Sequence, residues 1–327
     1  MKAILVNEDK SLRWDNVPNP VIKPDEVLVK ICAAGINRAD LLQREGNYPP
    51  PPGCPDWMGL EISGEIVEMG AEVAQKSNWK LGDKVCALLG GGGYAEYVAV
   101  KYDMLLPIPA NCSMVEAAAI PEAFATAYLN LFIEGNIKPG NTLLLTGGNS
   151  GLASVIVPMA KAFGVRVITT VRNAQKAEMI KHLKADRVIV TSEEDIVKAL
   201  QEELDNGHGV DVAIDCLGGE IMGKCLHVLS RGARWIMIAA LAGQMTALDL
   251  KNVYVRNVRI IGSTLRSRAP EIKAEILGRI LREIYPKIET GEIKPTIHAV
   301  LPIEKAAEGQ AMLYESKSVG KVVLTVG

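Results

Sequence analysis

The sequence predicts an α/β protein with two domains, one mainly β and the other built on a parallel, doubly wound sheet. The chain has 327 residues, which exceeds the usual length of a single domain. Its first 120 residues consist mainly of short runs of β formers separated by glycine-rich turns. From Pro121 to Thr264, apolar strands alternate with helical patterns, which is typical of a parallel sheet covered by helices.

The N-terminal region, residues 1–120, is expected to form a barrel-like or sandwich-like domain, because few helical patterns occur in it. Residues 35–53 form an unusual loop between two strands. In this loop a short helix ends at Gly46, and a stiff run of prolines follows Tyr48. The loop should therefore hold Tyr48 in place at low entropic cost. The predicted strands are Lys2–Val6, 26–33, 63–68, 83–87, 94–100 and 104–107.

The second region is organised around a strand, a small-residue turn and a helix at 142–163. Residues 142–145 form a short apolar strand, and small residues predominate from Gly147 to Ala153. Apolar residues then recur at helical spacing until Gly164 ends the run. In such a unit the first N–H groups of the helix favour an anion, and small residues let a pyrophosphate approach the backbone. The spacing departs from a strict G-x-G-x-x-G, so an ordinary βα turn stays the alternative interpretation.

Arg172 follows the next predicted strand, 165–171, where a dinucleotide-binding fold places the group that contacts the adenosine ribose. An acidic residue would bind the 2′-hydroxyl of NAD, but none occurs from Val171 to Asn173. Arg172 instead offers a cation for a 2′-phosphate, with Lys176 one helical turn further on. The pattern favours NADP(H) over NAD(H), and a solvated pair of surface cations is the alternative.

The remainder of the chain continues the alternation and then changes. A helix is predicted to begin at Ser192, which would cap it. A later helix, entered through Pro270, is predicted to run to Tyr285 before Pro286 stops it. The segment 265–327 is too small to stand alone, so we expect it to return to the N-terminal domain. The other predicted strands are 187–191, 210–215, 233–239, 258–262, 297–301 and 321–326, with helices at 221–229 and 303–314.

Composition excludes several classes of partner. The 36 basic and 38 acidic residues are nearly balanced and no polybasic tract occurs, so neither nucleic acid nor an anionic membrane surface is expected. The N-terminus turns polar at Asn7 and no apolar run reaches bilayer length, which predicts a cytoplasmic protein. Six scattered cysteines favour reduced thiols, and four histidines lack ligand spacing, so no metal site is predicted.

A series of short motifs occurs in a recognisable order along the chain. They are EVLVK at 26–30, AAGINRAD at 33–40, GNYP at 46–49, GDKV at 82–85, GYAEY at 93–97 and GKVVL at 320–324. Together they resemble the zinc-free quinone oxidoreductases of the medium-chain dehydrogenase/reductase superfamily. The resemblance is nearest to the branch of tumour-suppressor-inducible quinone oxidoreductases. The Ala-x-x-Gly-x-x-Gly turn of the family is changed at its three defining positions, although the substituted residues are still small.

The resemblance implies a GroES-like catalytic domain made of residues 1–120 and 265–327, with a Rossmann NADP(H)-binding domain, 121–264, inserted between them. It also implies homodimers or homotetramers built through the edge of the Rossmann sheet. The superfamily's zinc enzymes carry cysteine and histidine ligands where this chain has Asn37 and Leu60, which implies zinc-independent chemistry. The cofactor-positioning residues that the family implies are Thr126, Asn149, Ser150, Gly151, Leu152, Arg172, Lys176, Leu241, Thr264, Arg266 and Lys321.

Asn37 and Tyr48 are the predicted catalytic residues, because by resemblance they lie beside the nicotinamide and the substrate. Adding a hydride to a quinone or an α,β-unsaturated carbonyl builds negative charge on an oxygen, which calls for a hydrogen-bond donor. Asn37 would donate from its amide, and Tyr48 would close over the ring or deliver a proton. The alternatives are an asparagine that satisfies the loop backbone and a tyrosine packed on prolines.

Three functions are consistent with these residues. The first is an NADPH-dependent quinone reductase acting on a small molecule without zinc. The second is a reductase of activated C=C bonds, because Asn149-Ser150 and Val171-Arg172 also resemble the 2-enoyl thioester reductases. The third is a non-enzymatic, crystallin-like protein that binds NADPH.

Overall fold

A computed structural model describes all 327 residues, which divide into two compact units. The discontinuous unit comprises Met1–Ala125 and Arg266–Gly327, and the inserted unit comprises Thr126–Leu265. The boundaries expected from the sequence, at 120/121 and 264/265, lie close to these positions. None of the helices is both long enough and apolar enough to cross a membrane.

The chain forms fifteen strands and twelve α-helices. The strands are β1 Lys2–Val6, β2 Leu12–Asn16, β3 Glu26–Gly35, β4 Glu61–Met69, β5 Lys84–Leu88, β6 Tyr97–Lys101, β7 Leu105–Pro107, β8 Thr142–Leu145, β9 Arg166–Val171, β10 Arg187–Val190, β11 Val212–Asp215, β12 Arg234–Met237, β13 Arg259–Gly262, β14 Ile297–Pro302 and β15 Lys321–Thr325. The helices are α1 Arg38–Arg44, α2 Val73–Lys76, α3 Met114–Ala117, α4 Pro121–Tyr128, α5 Ala153–Ala162, α6 Ala174–Met179, α7 Ile196–Asp205, α8 Ile221–Cys225, α9 Leu250–Arg256, α10 Pro270–Glu283, α11 Tyr285–Glu289 and α12 Ala306–Tyr314.

The discontinuous unit is built on a seven-stranded sheet in which β14, β15, β3, β4, β5 and β7 are neighbours and β6 also pairs with β3. The C-terminal β15 pairs antiparallel with β3, with Leu324 opposite Ala34. The last segment of the chain therefore belongs to the same sheet as the first, and the inserted unit lies between them in the sequence.

The inserted unit is a six-stranded, fully parallel sheet in the order β10-β9-β8-β11-β12-β13. This is the doubly wound order of a Rossmann fold, and it confirms the predicted fold class. The strand order reverses between β8 and β11, so the ligand crevice is expected beyond the carboxyl ends of these two strands. The core of the unit is apolar and includes the fully buried Trp235, Leu144 and Ile168.

Two helix boundaries differ from the predictions. The helix predicted to begin at Ser192 begins after Asp195, whose carboxylate accepts the N–H of Lys198 at 2.9 Å. Asp195 was the better cap because it directly precedes the first apolar helical residue. Pro286 does not end helical structure either. It lies in the first turn of α11, where a missing N–H costs nothing.

Candidate active site

The turn after β8 is shaped by close contacts with the neighbouring strands. Gly147 has a φ of +73°, and a Cβ there would lie 2.9 Å from Cys216 Sγ. A Cβ on Gly148 would lie 2.4 Å from Thr169 Oγ1, and the Gly148 N–H donates to the Thr170 carbonyl at 2.8 Å. Glycine is therefore required at both positions for packing within the sheet.

The same turn leads into α5 and presents donors at its start. Ser150 Oγ accepts the N–H of Ala153, the first residue of α5, at 3.0 Å. The N–H groups of Gly151 and Leu152 donate to no backbone carbonyl. With the positive end of a ten-residue helix behind them, these groups can bind a phosphate, as the sequence predicts. Asn149 lies in the same turn.

Arg172 and Lys176 form a pair of cations beyond the end of β9. Arg172 is exposed, and Asn173 caps α6 by accepting the N–H of Lys176 at 3.0 Å. Burial, followed by the charge of Arg172, lowers the pKa of Lys176. Neither side chain forms an ion pair with a carboxylate of the chain. Two uncompensated cations held close together are suited to an anion from outside the chain.

Asp215 organises the turn after β11. Its buried carboxylate accepts the Thr146 hydroxyl at 2.7 Å, the N–H groups of Leu217 and Gly218 at 2.9 and 3.1 Å, and Trp235 Nε1 at 3.2 Å. The sequence predicts Asp215 only as the last residue of a strand at 210–215. In the structure, the Asp215 carboxylate links the residues that follow β8 and β11 and so fixes the positions of these two strand ends relative to each other.

The other predicted cofactor residues of the inserted unit lie at different places. Thr126 is on α4, and its carbonyl accepts the side-chain amide of Asn130 at 2.8 Å. Thr264 lines a recess of about 360 Å³ beyond β12 and β13, together with residues 237–240, 262 and 263. Leu241 is exposed immediately after this recess. The recess lies where a doubly wound sheet binds its ligand, at the carboxyl ends of the strands.

In the discontinuous unit, Asn37 and Lys321 meet in a buried network around Glu61. The Lys321 ammonium donates to the Ile36 carbonyl at 2.9 Å, to Asn37 Oδ1 at 2.6 Å and to Glu61 Oε1 at 2.7 Å. Asn37 Nδ2 donates to the same Glu61 oxygen at 3.0 Å. All three ammonium donors are thus used, so Lys321 could contact a cofactor only by giving up one of these bonds. Glu61, which the sequence-based prediction missed, is the centre of the network.

A second buried carboxylate, Asp40, lies directly beside this network. Asp40 accepts the backbone N–H groups of Asn37 and Gly59 at 2.8 and 3.0 Å and the Tyr94 hydroxyl at 2.9 Å. Burial raises the pKa of Asp40 to about 6, although these three hydrogen bonds oppose the shift. Asn37 therefore links two carboxylates, with its backbone bound to one and its amide to the other.

Tyr48 and Arg266, predicted separately, are in contact. The buried Arg266 guanidinium donates to the carbonyls of Gly90 and Tyr48 at 2.8 and 3.2 Å and to Gln43 Oε1 at 2.7 Å. It also lies 5.1 Å from the centre of the Tyr48 ring, a cation–π distance. Arg266 therefore joins the proline-rich loop to α1 and to the glycine loop. Burial lowers the pKa of Arg266 and raises that of Tyr48.

Nowhere in the chain do three His, Cys, Asp or Glu side chains converge as they would around a metal ion. Leu60, at one position where the zinc enzymes carry a ligand, is fully buried. At the other, the Asn37 amide is held by Lys321 and Glu61.

Comparison with known proteins agrees with this architecture. A family model described as alcohol dehydrogenase GroES-like domain matches residues 23–110, and one described as zinc-binding dehydrogenase matches 151–281. A GroES-like domain joined to a Rossmann sheet defines an oxidoreductase of the medium-chain dehydrogenase/reductase superfamily. The chain is 32% identical over 306 residues to quinone oxidoreductase-like protein 2 homolog of Nematostella vectensis, a match that covers 91% of this chain and 81% of that protein. It belongs to the quinone oxidoreductase-like family of that superfamily.

Two solved structures are similar to this chain over nearly their whole length. A mycobacterial protein complexed with NADPH has a TM-score of 0.86 and 25% identity, with 99% of each chain covered. The apo form of JamJ enoyl reductase has the same TM-score and identity, with 100% of this chain and 99% of that chain covered.

Proposed function

We propose that the protein transfers a hydride from NADPH to a quinone without zinc. The observation that carries the cofactor assignment is the pair formed by Arg172 and Lys176, two cations that no carboxylate of the chain neutralises. The small-residue turn and the backbone N–H groups of Gly151 and Leu152 fit the pyrophosphate of the same molecule. The complex of a similar mycobacterial protein with NADPH adds support.

The chain's own residues bind, orient and protonate, while the bound nicotinamide supplies the hydride. As the acceptor gains a hydride, an oxygen on it becomes negative, and a nearby donor stabilises that charge. Tyr48 is the stronger candidate for this donor, because its loop is held by Arg266 through Gln43 and the Tyr48 carbonyl. Asn37 is already bonded to Glu61 and Lys321, so we propose that it orients the network beneath the site.

A quinone is the proposed acceptor, and an activated alkene is the second candidate. The quinone assignment rests on the chain's motifs and on the similarity to a quinone oxidoreductase-like protein. The Gly-x-Tyr-Pro-Pro loop also leads us to place the protein in the tumour-suppressor-inducible branch. The alkene assignment rests on the similarity to an enoyl reductase.

The acceptor is tested by measuring NADPH oxidation with a para-quinone, an ortho-quinone and a short 2-enoyl-CoA, with NADH as the control cofactor. Faster turnover of a quinone supports the proposal. Turnover of the enoyl-CoA alone would replace it with alkene reduction. NADPH binding without turnover of either would favour the non-enzymatic, crystallin-like role.

The cofactor preference is tested with Arg172→Ala. Because the guanidinium would contact only the 2′-phosphate, we expect NADPH affinity to fall by about tenfold to a hundredfold, the effect of losing charge-assisted hydrogen bonds. NADH affinity should hardly change. The measurement is cofactor titration by calorimetry, with Arg282→Ala, an exposed arginine of the discontinuous unit, as the matched control. Equal losses for NADPH and NADH would contradict the assignment.

We also propose that the protein is a homodimer paired through β13, the edge strand of the six-stranded sheet. Ile260, on this strand, is apolar and exposed. A second copy of the same strand would cover it and satisfy the free edge.

A further inference from the structure

Arg266 is a buried cation that no carboxylate of the chain neutralises by contact. It is 4% exposed, and its guanidinium donates to three neutral oxygens, among them the Tyr48 carbonyl and the side-chain oxygen of Gln43. Asp40 and Glu122 are within electrostatic range of the guanidinium, but neither forms an ion pair with it. Because a guanidinium stays protonated in proteins, this site keeps a full positive charge away from water.

The ring of Tyr48 lies against this cation. Arg266 Cζ is 5.1 Å from the ring centre, and the same guanidinium donates to the Tyr48 carbonyl at 3.2 Å, so one group holds both the ring and its backbone. The backbone of Arg266 is fixed in turn, because Lys273 donates to its carbonyl at 2.7 Å. The Tyr48 hydroxyl donates to no group of the chain, and Tyr48 is only partly buried, so its proton is available to a ligand.

A cation over the face of a phenol favours the phenolate and so makes the hydroxyl a stronger hydrogen-bond donor. Three influences act on this group: burial raises the pKa of the Tyr48 phenol, the charge of Arg266 lowers it and the charge of Glu122 raises it. No carboxylate in contact with Arg266 cancels its charge, so that charge acts on the ring that lies against it.

We propose that Arg266 is the positioning residue of the acceptor site, which holds the Tyr48 ring in place and polarises its hydroxyl towards the acceptor oxygen. The inference rests on the proposed function, in which Tyr48 is the donor. As the acceptor gains a hydride, its oxygen becomes negative, and the polarised hydroxyl stabilises that charge. When the oxygen takes the proton, the Tyr48 O–H bond breaks as the new O–H bond forms. Arg266 then stabilises the tyrosinate until solvent returns a proton to it.

The test changes Gln43 rather than the arginine, because this separates the charge of Arg266 from its hydrogen bonds. Gln43→Glu places a carboxylate where the amide oxygen lies, 2.7 Å from the guanidinium, so the contact that holds Arg266 is kept while its charge is neutralised. Both Gln43→Glu and Gln43→Met lose the 2.8 Å bond from Gln43 Nε2 to the Asp56 carbonyl. Gln43→Met adds no charge, so it is the matched control.

The first readout is the titration of the Tyr48 phenol, followed by the ultraviolet absorbance of tyrosinate and identified by the signal that Tyr48→Phe removes. Tyrosinate should form at higher pH in Gln43→Glu than in wild type or Gln43→Met, because the neutralised guanidinium no longer favours it. Arg266→Met should shift the titration in the same direction, and Arg266→Lys, which keeps the charge, should reverse part of that shift. Equal titrations in Gln43→Glu and Gln43→Met would overturn the proposal.

The second readout is the reduction of a para-quinone at pH 7. We expect kcat of Gln43→Glu to be about tenfold below that of Gln43→Met, less than the roughly 100-fold to 1,000-fold effect of removing an oxyanion donor outright. NADPH affinity should be the same in both variants, and equal kcat values would refute the polarising role. The phenol titration needs no turnover, so the two failures are distinguishable. A shifted titration in a protein that reduces no quinone contradicts the proposed function, whereas quinone reduction without the shift contradicts this inference.

Discussion

At the scale of single residues, the most consequential feature is the charge buried with Lys321. Its ammonium and the Glu61 carboxylate are both almost inaccessible to solvent, and each is stabilised chiefly by the other and by Asn37. Moving either charge out of water carries a large desolvation cost. The pair is therefore tolerated only while every partner is present, and it acts as a rigid support beneath Asn37.

Removing one partner of this pair should lower the free energy of unfolding. We expect Lys321→Met to destabilise the protein by about 3–5 kcal/mol, because Glu61 would keep a buried, unpaired charge. The double variant Lys321→Met/Glu61→Gln should recover part of that loss. Urea unfolding at pH 7 measures both, and Lys294→Met, on an exposed lysine, should be nearly neutral. A double variant no more stable than Lys321→Met would show that the charge is not the cause.

At the scale of elements, the strand, turn and helix formed by β8, residues 146–152 and α5 set the geometry of the proposed nucleotide site. The turn has little free space, because Thr169 donates its hydroxyl to the Leu145 carbonyl at 2.8 Å and cannot rotate away from Gly148. The small residues of this turn therefore serve the packing of the sheet as well as access to the phosphate.

Gly148→Ala tests this packing. The new Cβ would lie 2.4 Å from Thr169 Oγ1. We therefore expect overpacking to lower the free energy of unfolding by about 1–3 kcal/mol and to weaken NADPH binding. The control is Gly278→Ala within α10, where the nearest atom is the flexible end of Arg282 at 3.4 Å. That change should be neutral or stabilising, because alanine favours a helix over glycine. Thermal unfolding and cofactor titration give the two readouts, and unchanged values for Gly148→Ala would refute the packing argument.

At the scale of the whole molecule, the six-stranded sheet ends in an exposed edge strand. β13 forms this edge, and three of its four residues are exposed, among them the apolar Ile260. An exposed apolar side chain on an unpaired edge strand is a feature that a second copy of the chain would cover.

Light scattering after gel filtration should give twice the 35.2 kDa mass of the chain. Ile260→Lys, on β13, should yield monomers, because Ile260 is 40% exposed and would have to bury a charge in the dimer. Val300→Lys is the matched control, since Val300 is 48% exposed on β14, the edge of the other sheet. Monomeric wild type, or dissociation by Val300→Lys alone, would contradict the assignment to β13.

Local patterns in the sequence were sufficient to predict the Rossmann architecture and the small-residue turn after β8. An apolar strand, a small-residue turn and an amphipathic helix are each determined by residues close together in the chain, so β8 and α5 were predicted nearly to the residue. The position of Arg172, directly after β9, was also predicted from residues that are close together in the chain. The cap at Asp195 was missed because Ser192 and Asp195 are both good caps, and packing of the first apolar turn chooses between them.

Only the tertiary structure decided how the predicted residues act on one another. Asn37, Glu61 and Lys321 come from different strands or their ends, and no periodicity links positions so far apart. Arg266 was assigned to the cofactor by resemblance, yet its donors hold the Tyr48 loop and α1. A glutamate at the start of a helix is ordinary, so the sequence did not predict a special environment for Glu122. Burial, followed by the charge of Glu61, raises the pKa of Glu122, because protonation depends on the surrounding charges and solvent, which folding alone brings together.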